Sequence, residues 1–80
     1  MESLLTDYIS KELVPSQELL PIKPDTRLIE SGILDSLSIL RLTIFLEEKL
    51  MVKVDAEEVV RENFDTIEAI CRFVRDKKRA

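Results

Sequence analysis

Apolar residues recur at helical spacing along most of this 80-residue chain, and no stretch keeps the strict alternation of a strand. Leu5, Ile9 and Leu13 repeat every fourth position, with Leu4 and Tyr8 beside them, predicting a first helix from Glu2 to Leu13. Pro15 stops it, because the residue before a proline disfavours the α region. From Val14 to Asp35 the pattern breaks into a long loop punctuated by Pro15, Pro21 and Pro24. A loop this long in a small domain is commonly functional. It carries Leu19, Leu20, Ile22, Leu28, Ile29, Ile33 and Leu34, so it must pack against the helices. Within it, "DTRLIE" suits a short helical turn capped by Asp25.

A second helix is expected from Ser36 to Leu50, with Asp35 as its N-cap. A short third helix follows "VD": Asp55 and Glu58 have capping-box spacing, and Val59 and Val60 supply its apolar residues. The last helix starts after Asp65, which pairs with Glu68 at the same spacing, and its core stripe is Ile67, Ile70, Cys71 and Val74. The expected fold is all-α: a four-helix bundle of three longer helices and one short one, with a long loop between helices 1 and 2. Residues 1–80 form one domain, since a chain this short has surface to bury for only one small core.

The second helix is apolar on two sides. At roughly 100° per residue, Ile39, Leu42, Leu46 and Leu50 share one face, and Leu37, Leu40 and Ile44 share another about 150° away. One stripe serves the core. The second means either that the helix is buried all round or that the stripe is an exposed docking surface rimmed by Arg41, Glu47 and Glu48. The docking reading is favoured.

Charge narrows the partners. The net charge of −4 is uneven: residues 25–62 hold nine acids and five bases, residues 63–80 three acids and five bases. An acidic middle repels phosphates, so nucleic acid is not the expected partner. The basic end "RDKKRA" suits a solvated helix C-terminus. No stretch is apolar for long enough to span a membrane, and the start lacks the basic region of a signal peptide, so a cytoplasmic monomer is expected.

The chemistry of a self-contained enzyme is missing. With no histidine there is no His-based triad, and one glycine, Gly32, cannot build a phosphate loop. "DAEE" lacks the alternating ligands of a calcium loop. The adjacent pairs Glu47–Glu48 and Glu57–Glu58 diverge on a helix. Cys71 is the sole cysteine and falls in a core stripe, so it reads as a small buried hydrophobe. No catalytic or metal-ligating residue is expected.

The stretch "ESGILDSLSIL", residues 30–40, offers something else. Asp35 and Ser36 both suit a helix start, and D-S-L alone is too short to say more. The serine, however, ends a long loop and precedes the doubly apolar helix. A phosphate ester on Ser36 would lie at a helix N-terminus, where free N–H groups and the dipole favour negative charge. Gly32 is expected to turn the loop so that Asp35 and Ser36 reach the surface.

On these residues the chain resembles the acyl carrier proteins and peptidyl carrier domains. "GILDSLSILRLTIFLEEKL" is similar to that family's loop end, attachment serine and second helix, and "VDAEEVVRENFDTIEAICRFV" to its third and fourth helices. The resemblance implies that Ser36 receives 4′-phosphopantetheine from coenzyme A through a separate, Mg²⁺-dependent phosphopantetheinyl transferase. The arm's thiol then holds acyl or aminoacyl groups as thioesters and delivers them to acyl-loading and acyl-processing enzymes. By the same resemblance Asp35 aids transferase recognition, and Leu37, Ile44, Glu47 and Glu48, with Leu40 and Arg41 beside them, dock partners. Carriers of bulk fatty-acid synthesis have acids just after the serine and in the next turn, where this chain has Ser38 and Arg41. With "ENFDTI" before the last helix, this implies a free-standing carrier of polyketide, nonribosomal peptide or unusual acyl chemistry. The alternative is an unmodified helical adaptor docking through the same stripe.

Overall fold

A computed structural model describes residues 2–14 and 20–79. Helix α1 spans Glu2–Tyr8 and runs on through a wider π turn, Ile9–Leu13. Leu5, Ile9 and Leu13 are buried as their spacing requires. The helix ends at Val14, which is extended at φ −73°, ψ 121°. Pro15, assigned the stop signal, lies outside the described residues, as does Leu19.

The loop then packs rather than hangs. Ile22, Leu28, Ile33 and Leu34 are buried, Ile29 packs against the core, and Leu20 is exposed. The expected helical turn is not capped by Asp25, which is exposed. Thr26 organises the turn instead: its Oγ1 accepts the Lys23 N–H at 2.9 Å. The helical bond starts at the next residue, where the Ser31 N–H donates to the Arg27 carbonyl at 3.0 Å.

Helix α2 spans Ser36–Leu50, the predicted bounds. It stops at Met51, whose left-handed backbone (φ 58°, ψ 37°) turns the chain so that Val52 is buried. The predicted third helix is two pieces: a 3₁₀ turn, Ala56–Glu58, and a single α turn, α3, Arg61–Phe64. Glu58 uses its predicted spacing, its Oε1 accepting the Asp55 N–H at 2.9 Å. Val59 and Val60 fall in the break between the pieces and are exposed, so they are not its core residues. Phe64 takes that role, fully buried and tilted against Phe73 with ring centroids 5.6 Å apart.

Helix α4 spans Ile67–Arg79 and buries Ile67, Ile70, Cys71 and Val74, the predicted stripe, together with Phe73. Its cap differs from expectation. Thr66 Oγ1 accepts the Ala69 N–H at 3.0 Å, while Asp65 turns away to the loop. The Glu68 N–H donates to the Pro24 carbonyl at 3.1 Å, a second tie between loop and α4. Lys77 reaches back from α4 to Glu58 at 2.8 Å, fixing the 3₁₀ turn. The rings of Tyr8 and Phe45 stack with centroids 3.9 Å apart, locking α1 to α2. The architecture is therefore the all-α bundle of four helices, one of them short, joined by a long packed loop.

Candidate functional site

The site is built around the start of α2. Its approach is set by Gly32, whose φ of 86° is the left-handed region that side chains resist. Nothing lies within 4 Å of where a Cβ would stand, so the glycine is there for its backbone and not for close packing. After that turn Ile33 and Leu34 both bury, and the Leu34 N–H donates to the Leu28 carbonyl at 2.9 Å. The chain is thus anchored two residues before Ser36.

Asp65 holds the other side of the loop. Its Oδ2 accepts from Arg27 Nε at 2.6 Å, its Oδ1 from the Ile29 N–H at 3.2 Å, and its carbonyl from the Leu28 N–H at 2.6 Å. Burial alone would raise the carboxyl's pKa. The Arg27 and Ile29 hydrogen bonds and the guanidinium charge outweigh it and hold the group below the usual carboxylate range. This clamp is absent from the sequence reading. "FDTI" offers two capping residues in a row, and spacing alone does not say which one the helix uses.

Asp35 caps α2, its Oδ1 accepting the Ser38 N–H at 2.8 Å. That backbone bond, helped by the Ser38 side chain, holds its carboxyl below the usual range, so Asp35 stays ionised. Ser36 follows as the first helical residue and is exposed. The remaining N–H groups of the first turn point out of the helix end beside its hydroxyl.

The second apolar stripe is open. Leu37, Leu40 and Ile44 are 66%, 56% and 45% exposed, whereas Leu42 and Leu46 are fully buried. The helix is therefore not buried all round: one stripe is core and the other faces outward. Arg41, Glu47 and Glu48 are exposed on the same helix. Arg41 Nη2 lies 3.8 Å from Glu12 Oε1, and its carbonyl accepts from the Tyr8 hydroxyl at 3.4 Å. All eight residues singled out from the sequence therefore gather along one helix, from its cap to its last turn. Met51, Val59 and Val60 are exposed apolar residues that the sequence reading did not place at the surface. Among the described residues no helix is long and apolar enough to cross a membrane.

A family model described as "Phosphopantetheine attachment site" matches residues 4–74. The chain belongs to this family, the acyl and peptidyl carrier proteins. The carrier is the site of covalent 4′-phosphopantetheine attachment, and carrier domains of this kind meet phosphopantetheinyl transferases and acyl-processing enzymes. The residues at the start of α2 fit such a group: an exposed hydroxyl beside a helix N-terminus can take a phosphodiester. No curated protein matches. Among solved structures, the carrier is similar to a chain in one titled "Crystal structure of FAD-dependent dehydrogenase". The two share 25% identity and a TM-score of 0.75, over 88% of this chain and 97% of that one.

Proposed function

We propose that Ser36 is the attachment residue and that the chain shuttles thioester-bound acyl or aminoacyl intermediates for a specialised pathway. The observation that carries this is the placement of an exposed hydroxyl on the first residue of α2, held by a buried anchor and followed by an open apolar stripe. Attack by the Ser36 hydroxyl on the β-phosphorus of coenzyme A would break the pyrophosphate bond. The serine proton passes to base, and 3′,5′-adenosine bisphosphate leaves. Asp35, ionised and fixed by its cap bond, presents a constant negative charge beside that hydroxyl for a transferase to read. Leu37, Leu40 and Ile44 form the contact that brings partner enzymes to the loaded arm, with Arg41, Glu47 and Glu48 as its charged rim.

The specialised-pathway part rests on Ser38 and Arg41, which stand where fatty-acid carriers have acids.

Incubation with coenzyme A and a broad-specificity transferase should add one phosphopantetheine to the intact mass, and Ser36→Ala should abolish the gain. An equal gain in Ser36→Ala, or none in the parent with several transferases, would sink the assignment. In protein purified from its native host, the same measurement reads the cargo. A ladder of ordinary saturated chains would overturn the specialised-pathway reading.

A further inference from the structure

Helix α4 has an outward face that no other element covers. At about 100° per residue, Arg72, Arg75 and Arg79 lie within some 60° of one another and about 150° from the middle of the buried stripe. All three are exposed, and they span roughly 10 Å along the helix axis. Lys78 is exposed at the same end. Among the described residues none of these four enters an ion pair, whereas Lys77 of the same helix is taken by Glu58.

Two ordinary explanations do not cover this stripe. Cations favour a helix C-terminus, but that effect is confined to the last turn. It accounts for Lys78 and Arg79, and not for Arg72 and Arg75, which lie before it. Cations on a solvated helix are commonly matched by acids one turn away. Glu68 and Asp76 stand four residues to either side of Arg72, yet among the described residues neither pairs with it. Arg72 with Arg75, and Arg75 with Arg79, are instead like-charge neighbours at i,i+3 and i,i+4, a spacing that weakens a helix. An external anion relieves that repulsion.

We propose that this arginine stripe is a peripheral docking face for an anionic phospholipid surface. Guanidinium groups are planar and grip phosphate oxygens through paired hydrogen bonds. The face is convex and carries no exposed apolar residue, Ala69 at its edge being half-buried. A protein partner calls for an apolar centre to the contact, which this face lacks; a charged lipid surface does not. The apolar side of α4, with Ile67, Ile70, Phe73 and Val74, is committed to the core, so the helix lies on the headgroups without inserting. The net charge of −4, with Glu68 and Asp76 on the same helix, opposes the approach and keeps the contact weak and reversible. The stripe stands on a different helix from Ser36 and does not depend on the attachment reading.

Vesicle flotation tests this. In low salt the protein should float with vesicles of phosphatidylglycerol and phosphatidylcholine mixed equally, and not with vesicles of phosphatidylcholine alone. Binding should fall steeply as salt rises. Each basic residue near such a surface strengthens binding about fivefold, so Arg72→Gln with Arg75→Gln should weaken it about twenty-five-fold. Arg72→Lys with Arg75→Lys should retain most of it. Both positions are exposed, and the helical circular dichroism signal confirms that the variants fold. Failure of the parent to float with the anionic vesicles, equal flotation with the neutral ones, or full binding by the double glutamine variant would overturn the proposal. Amide NMR shifts in α4 with polyglutamate, where the vesicles leave the protein unbound, would assign the stripe to an acidic protein instead, and the same result with inorganic phosphate to a free anion. None of these outcomes touches Ser36, which the mass measurement tests separately.

Discussion

Met51 is the residue most at odds with its own backbone. A methionine at φ 58° places its Cβ against the following carbonyl, at a cost of roughly 1–2 kcal/mol. Its side chain is 84% exposed, so little packing offsets that cost. Glycine accepts the conformation freely but loses more chain entropy on folding. Met51→Gly is expected to stabilise the protein by about 0.5–1 kcal/mol in a urea titration, and a lower midpoint would refute the strain argument. At this scale the sequence was readable at Asp35, whose Oδ1 accepts the Ser38 N–H as expected of the N-cap, although Ser36 beside it also suits a helix start. Asp65 was misread because Thr66 could cap just as well, and the partner that claims Asp65, Arg27, is 38 residues away.

At the scale of elements, the clamp between the loop and the start of α4 is what makes the loop a part of the fold. Asp65 is buried, and the Arg27 and Ile29 hydrogen bonds lower its pKa despite that burial. A carboxyl with a lowered folded pKa adds stability above its unfolded value, near 4, and that stability is lost as pH falls through the folded value. Glu58, whose pKa is lowered by its bond from Lys77, acts in the same direction. Asp65→Asn should therefore lose about 1 kcal/mol near neutral pH. It should also show a shallower fall of stability between about pH 5 and pH 2. Unfolding curves at several pH values measure both, and an acid limb as steep as the parent's would refute the role of Asp65. The helices themselves were legible: α2 from its cap and double periodicity, α4 from its stripe. The third was not, because its 3₁₀ turn and single α turn are each too short to show a period, and Val59 and Val60 drew attention from Phe64.

Across the whole molecule, the interior is filled by its own side chains. Leu5, Ile9, Leu28, Leu42, Leu46, Phe64 and Ile70 are fully buried, and the Tyr8–Phe45 stack closes the α1–α2 side. Interiors of this kind are close-packed, and inserting extra carbon atoms costs roughly 1–3 kcal/mol in displaced side chains. Polar or bulky cargo is therefore expected to stay in solvent. Amide NMR shifts on loading should be confined to residues near Ser36 and along the exposed face of α2. Shifts spreading to Phe64, Ile70 and Leu46 would show that the core opens. The outward-facing second stripe was readable at this scale from the double periodicity of α2. The anchoring of the loop was not, because it depends on contacts between distant parts of the chain.

That anchoring sets where movement can enter. With Leu34 buried and tied to Leu28, and Asp35 fixed by its cap, an arm attached at Ser36, as proposed, would swing from an anchored base. Cargo would then travel only as far as that arm reaches. A partner must bring its catalytic group inside a sphere drawn around one point on the surface. The protein contributes the centre of that sphere, and each enzyme must solve the distance.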